Sequence, residues 1–315
     1  MHFCQSIPGS NKLALGTAGF GSFVSRDEAF AILDGYAEAG GNFLDTANVY
    51  AEWLPEGRGR SETTVGAWLK DRGMRSRMVV GTKGGHPDLA TGRKRMSPEE
   101  LEHDLQESLE RLGLDRVDVY WFHRDDPAKP IAEILGWAAR QIAGGRIGEI
   151  GCSNWTLPRL QQANATGSPA PFCANQIGWS LADRNTPPAE LPDMVFMNGE
   201  LYAYHVATRL PVAAYAAQGG GFFARHKRGD PSLSGAYANP RNERRRILAD
   251  ALADRHGATP NQIALAWLWH HPFPVLPIVG PRTLGQLQDS LGAAALRLSS
   301  AEVSSLSAAE ANVTP

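Results

Sequence analysis

The chain has 315 residues, 43% hydrophobic and 20% charged, which are globular proportions and exclude a disordered or fibrous protein. Lys plus Arg number 31 and Asp plus Glu 33, so the net charge of −2 provides no global pull toward nucleic acid or anionic lipid. Three cysteines, Cys4, Cys152 and Cys173, cannot all pair and show no zinc spacing, so neither a disulfide framework nor a metal site is expected.

The opening residues, MHFCQSIPGSNK, have neither a basic leader nor an apolar signal core. The most apolar late stretch, 262–280, is broken by His270, His271, Pro272, Pro274 and Pro277 and cannot span a bilayer. A cytoplasmic protein is expected. In chain order, strands are predicted near 13–16, 42–46, 77–83, 117–122, 147–151, 172–176, 211–215 and 275–279. They read as continuous apolar runs, Met78-Val79-Val80 for example, which suits parallel strands covered on both faces. Between most of them lies helical spacing, such as Leu101, Leu105, Leu109 and Leu112. Capping boxes mark helix starts at Ser25…Glu28, Ser97…Glu100, Thr259…Gln262 and Ser299…Glu302. Two stretches read as long loops, Glu52 to Arg60 and Ala224 to Arg244, and Arg241 to Arg246 reads as a solvated helix start.

Eight strands alternating with helices, at roughly 39 residues per unit, predict a (β/α)8 TIM barrel with long strand-to-helix loops. It is read as one domain over 1–315 with its core at about 13–306; on rhythm alone, a doubly wound sheet competes. Barrel sites are built from the loops that follow the strands. Those positions hold Asp45 with Tyr50, then Lys83, His123, Ser153 and Asn154, Gln176, Tyr215, and Gly280-Pro281-Arg282. Taken singly, Tyr50 is equally a loop aromatic, Lys83 a solvated strand end, and His123 a hydrogen-bonding corner with Arg124 and Asp126. Ser153-Asn154 is equally a helix cap. Gly16-Thr17-Ala18-Gly19-Phe20-Gly21 runs GxxGxG, not the dinucleotide GxGxxG, and a Rossmann reading gives Lys83 and His123 no role. His270-His271 lacks a third ligand at metal spacing and reads as a surface or cap pair.

Gly41-Asn42-Phe43-Leu44-Asp45-Thr46-Ala47 with Tyr50, Gly81-Thr82-Lys83, His123-Arg124-Asp125-Asp126-Pro127, Gly151-Cys152-Ser153-Asn154-Trp155 and Asn175-Gln176 together resemble the aldo-keto reductase superfamily, over about residues 13–306. The resemblance implies a (β/α)8 barrel that interconverts carbonyls and alcohols with NADP(H), NAD(H) remaining an alternative, without metal or flavin. The residue chemistry agrees. A phenol has a pKa of about 10, too high for ready proton exchange at neutral pH, and an adjacent ammonium favours its ionised form. Tyr50 is therefore expected as general acid, Lys83 as its electrostatic partner, Asp45 as the partner of Lys83, and His123 as a hydrogen-bond donor to the carbonyl oxygen.

The same resemblance implies cofactor contacts. Ser153, Asn154 and Gln176 match contacts to the nicotinamide carboxamide, Tyr215 the stacking aromatic, and Gly16 and Thr17 a turn near the ribose. The segment from Gly280 through Gln286 to Ser290 matches the adenosine end, with Arg282 placed for a 2′-phosphate. Ala216 and Gln218 stand where the family has Ser and Leu, so backbone N–H groups of Gly219 to Gly221 are expected at the pyrophosphate. Asp289-Ser290 replaces the family's Glu-Asn pair. Phe20, Trp53, Trp179 and Phe222 are expected to wall a pocket for a small-molecule carbonyl or alcohol, with the Glu52–Arg60 loop tuning selection. A second class remains open: a cofactor-binding regulatory subunit with slow turnover.

Overall fold

Eight apolar runs pair in parallel, each with its sequence neighbours and the last with the first, and so close a barrel in the order β1 to β8 in a computed structural model. The structure describes residues 13–185, 193–224, 229–230 and 235–308. The strands are β1 (Ala14–Gly16), β2 (Phe43–Asp45), β3 (Val79–Gly84), β4 (Val117–Phe122), β5 (Ile147–Ser153), β6 (Phe172–Gly178), β7 (Val212–Tyr215) and β8 (Val275–Val279). Closure is carried by Ala14 against Ile278 and Leu15 against Val279. The helices are α1 (Arg26–Glu38), α2 (Arg60–Asp71), α3 (Pro98–Leu112), α4 (Ile131–Ala143), α5 (Leu157–Ala165), α6 (Gly199–Thr208), α7 (Pro240–His256), α8 (Pro260–Trp267), α9 (Leu284–Gly292) and α10 (Ser300–Ala308). This is the (β/α)8 barrel that the rhythm predicts.

All four capping boxes are present, each with the side chain accepting from the third helical N–H and the Glu or Gln reaching back. The four leucines at helical spacing in α3 are buried against the strands. Inside the barrel, Ala14, Phe43, Val119, Trp121, Ala174, Ala213, Leu276 and Ile278 form a separate cluster. Trp121 fills it because Gly81 and Gly151 give it room: a Cβ at Gly151 would sit 2.3 Å from the indole. That packed interior floors the site.

Three expectations about the second half are corrected. The Ala224–Arg244 stretch is not loop to its end, since Pro240 opens α7 with Asn239 as its cap, while 225–228 and 231–234 lie outside the described residues. Nor is the arginine run merely solvated. Arg245 is buried, donates to the carbonyls of Leu181, Leu306 and Ser307, and pairs with Asp183. His271 is likewise only partly exposed. It packs among Trp179, Tyr202, Trp267 and Phe273, where burial first, and then His270, pulls its pKa down to about 4.

Candidate active site

The side chains at and just past the strand ends converge. Lys83, near the end of β3, is 1% exposed and spends its ammonium on three oxygens: Asp45 Oδ2 at 2.6 Å, the Thr46 carbonyl at 2.8 Å and Tyr50 Oη at 3.0 Å. Burial alone would lower its pKa. The Asp45 carboxylate and Tyr50 more than offset that and raise it, so the ammonium stays charged. Gln176, from β6 across the barrel, donates to Asp45 Oδ1 at 3.0 Å.

Tyr50 reaches Lys83 from a run of turns, not from a strand. Ala51 after it has φ 73, a left-handed backbone that costs a residue with a Cβ. Ala51 also meets Gly57 so closely that a Cβ there would lie 2.0 Å from its carbonyl oxygen. Arg58 ties this loop to Glu107 on α3 at 2.9 Å. The outcome is a fixed phenol whose ring stands edge-on to His123, centroids 5.9 Å apart.

His123 is buried, and burial first, then His86, Arg124 and Lys83, hold its pKa well below the ordinary imidazole value. It is a neutral ring at physiological pH, and its Nδ1 has no hydrogen-bond partner among the described residues. His86 faces it edge-on at 4.8 Å, with its own pKa pulled to about 4 by burial and Arg124.

Asn154, just past β5, has φ 58, a conformation that Asn tolerates better than most residues. Its Oδ1 accepts from Tyr215 Oη at 2.6 Å and from the Val195 N–H at 3.0 Å, and its Nδ2 donates to the His123 carbonyl and to Ser153 Oγ. Tyr215 is kept a neutral phenol by burial, which outweighs the nearby Arg124.

These groups open on a cavity of about 1320 Å³ that extends from Tyr50 and His123 to Arg282 and Asp289. Of the predicted site residues, Gly16, Asp45, Tyr50, His123, Ser153, Asn154, Gln176, Tyr215, Ala216, Gln218, Gly280, Arg282, Gln286 and Asp289 line it, and Lys83 stands behind Tyr50. Thr17, Gly219 and Ser290 do not. The Thr17 hydroxyl bonds Ser61 at 2.9 Å, and Ser290 Oγ accepts from Gln218 Nε2 at 3.1 Å, so both act behind the wall. Gly219 N–H donates to Ala216 O and Gly221 N–H to Gln218 O, closing the turn on itself, and Gly220 and Gly221 line the cavity.

The expected aromatic walls are mostly elsewhere. Phe20 is core beside Val24, Trp179 faces outward onto Trp267 and Phe273, and Phe222 packs on Phe223 and Tyr237. Trp53 alone of the four stands by the reacting groups, half-exposed, 6.4 Å from the Tyr50 ring. In their place the cavity is lined by Phe23, Arg124, Arg184, Met194, Tyr237 and Asn261. Arg124 was legible as the neighbour of His123. Arg184 and Met194 come from the long connection after β6, where no local pattern marks orientation. Asn261 was hidden inside a capping box, yet it donates to Asp289 Oδ2 at 2.6 Å.

Residues 12–311 match the Aldo/keto reductase family. The chain belongs to that family and is an oxidoreductase within it. It is 29% identical to aldo-keto reductase str7 of Strobilurus tenacellus, across 93% of this chain and 84% of that protein. It is also 29% identical to norsolorinic acid reductase stcV of Emericella nidulans, across 92% of this chain and 76% of the relative. The crystal structure of an aldo-keto reductase from Klebsiella pneumoniae in complex with NADPH superposes with TM-score 0.70 at 25% identity, covering 94% of this chain and 89% of that one. Among the described residues no helix is long and apolar enough to cross a membrane, and no cluster of metal-ligating side chains occurs.

Proposed function

We propose that this aldo-keto reductase interconverts a small carbonyl compound and its alcohol with NADP(H), and that Tyr50 moves the proton. The observation that carries this is the Lys83–Tyr50 hydrogen bond. All three ammonium protons of Lys83 have acceptors, one of them Tyr50 Oη, so the phenolic hydrogen cannot point back at Lys83 and is left for the cavity side. In reduction Tyr50 Oη gives that proton to the developing alkoxide, and Lys83 stabilises the phenolate left behind. In oxidation Tyr50 Oη takes the proton from the alcohol. Asp45, held by Gln176 and Lys83, keeps the buried ammonium from being an isolated charge. Neutral His123 offers one N–H to the carbonyl oxygen and orients it without adding a second cation beside Lys83.

The residues fit a nicotinamide dinucleotide. The cavity is long, with amides and a Ser hydroxyl at one end and cations toward the other, and buried Arg184 Nε has no partner among the described residues. Ser153, Asn154 and Gln176 would hold the carboxamide, Tyr215 the ring face, Arg184 the diphosphate and Arg282 the 2′-phosphate. When bound, the nicotinamide supplies or accepts the hydride, which no side chain can do. Support for NADP(H) comes from Arg282, which has no described carboxylate partner, and from the NADPH-bound relative.

The test is direct: purified protein with NADPH and a panel of aldehydes, ketones and sugars, followed at the nicotinamide absorbance. Carbonyl-dependent loss of NADPH is expected. NADPH binding with no turnover of any carbonyl would refute the enzymatic reading and leave a cofactor-binding regulator.

A further inference from the structure

The cavity's reacting end carries a cation that the chemistry above does not use. Arg124 follows His123 directly, lines the cavity and is 9% exposed. Its one hydrogen bond among the described residues runs from Nη1 to the His123 carbonyl at 2.8 Å. Among the described residues, every nearby acid is committed elsewhere. Asp125 is gripped by Arg159 through two hydrogen bonds of 2.8 and 2.9 Å. Asp126 accepts from the Ala128 N–H, and Asp193 pairs with Lys94. Asp45 is bound by Lys83 and Gln176. The facing His86 is neutral. Burial pulls the Arg124 pKa down, and Tyr215, Tyr50 and Asp193 only partly oppose that, yet a guanidinium stays charged in proteins. A buried cation without a counter-ion is costly, and an anion that arrives with a ligand removes that cost.

Position separates this cation from the cofactor's phosphates. Arg124 leaves the end of β4, which lies across the closed barrel from β8, and the adenosine end proposed above is built on the loop after β8. Arg124 stands instead with His123 and Tyr50, where the carbonyl would be. We propose, resting on the function given above, that Arg124 determines specificity: the preferred substrate carries a carboxylate, paired with the Arg124 guanidinium while the carbonyl lies at Tyr50 and His123.

The experiment compares the 2-, 3- and 4-carboxybenzaldehydes with their methyl esters, which keep shape and lose charge, using NADPH and steady-state kinetics. For at least one isomer the wild-type enzyme should favour the acid by about tenfold or more in kcat/KM, the range of a charge-assisted hydrogen bond. The gain should lie mostly in KM. Arg124→Met should collapse the acid-to-ester ratio by the same factor, and Arg124→Lys should retain part of it, because a point charge replaces a fork. A readout independent of turnover is calorimetric binding of the matching carboxybenzyl alcohol in the presence of NADP⁺, which should weaken in parallel. NADPH affinity and the urea midpoint of each variant report folding; if Arg124→Met does not fold, the Lys variant and the wild-type ratio decide. Equal use of acid and ester at every ring position, or a ratio unchanged in Arg124→Met, overturns the proposal while the function stands. If acids and esters fail alike, the calorimetric comparison of carboxybenzyl alcohol binding in wild type and Arg124→Met decides, and only the absence of turnover with every carbonyl of the panel above would remove the function on which it rests.

Discussion

Asp45 and Gln176 lie 131 residues apart, and the Gln176 amide donates to Asp45 Oδ1 while Lys83 takes Oδ2. One carboxylate thus locks three strands, β2, β3 and β6, to the same point of the barrel mouth. Each contact limits the other: Gln176 fixes the plane of the carboxyl, and that plane aims Oδ2 at the ammonium.

Asp45→Asn should therefore damage both stability and rate. The substitution keeps the shape but leaves the Lys83 charge buried without its counter-charge, and losing one member of a buried pair costs about 3–5 kcal/mol. Lys83 would then release its proton more readily and support the Tyr50 phenolate less, so kcat should fall about 100-fold or more. Urea denaturation and steady-state kinetics check the two halves. Wild-type values in both would mean that Lys83 does not depend on Asp45.

Tyr50→Phe isolates the proton. The ring still packs near His123 and Trp53, so NADPH affinity by tryptophan fluorescence should stay within about twofold, while kcat falls by roughly 10²–10⁴. Retained turnover would assign proton transfer to another group.

Acid should weaken the fold through its histidines. Imidazoles in the unfolded chain titrate near pH 6.5. In the native protein burial holds His86 and His271 near 4 and His123 well below its ordinary value. Between about pH 6.5 and 4 the unfolded chain takes up protons that the native one refuses, so stability is flat above 6.5 and falls as the pH drops below it. The slope should reach up to about 1.4 kcal/mol per pH unit for each such histidine. Depressed carboxylates such as Glu302, near 2, give up their share only at lower pH. Urea midpoints at half-unit steps would show the trend; an unchanged midpoint across this window would mean that the histidines titrate normally when folded.

What the sequence makes legible follows from what fixes each position. Lys83, His123 and Gln176 occur at or near ends of parallel apolar runs, and run length plus barrel closure leaves them one place to go. Side chains just past those ends are fixed by parity as well. Gln176 faces inward, so Trp179, an odd number of residues later, turns out to α8, a consequence available from strand alternation alone. Phe20 and Phe222 sit in tight turns, where no such alternation applies. Arg124 shows another limit. Its sequence neighbours Asp125 and Asp126 suggest a local ion pair, and only the fold reveals that Asp125 is drawn away by Arg159, 34 residues distant.

The cofactor's two phosphate positions should respond differently to mutation. Arg282 lies exposed at the far end of the cavity, its guanidinium 4.5 Å above the Phe23 ring, a surface that leaves its N–H groups free to turn to a phosphate. Arg184 lies instead on Phe196 and Tyr237, close to the Ala216–Gly221 turn. NADPH and NADH differ only in the 2′-phosphate, so Arg282→Ala should weaken NADPH by about tenfold or more and NADH little. The diphosphate is common to both, so Arg184→Gln should weaken both alike. Phe23→Ala should mimic Arg282→Ala in part, because it releases the arginine from its platform and returns side-chain entropy that binding must then overcome. Fluorescence titrations of the three variants with each nucleotide give the affinities. Equal losses of NADPH and NADH in Arg282→Ala would put the 2′-phosphate elsewhere, and selective loss of NADPH in Arg184→Gln would put it at Arg184.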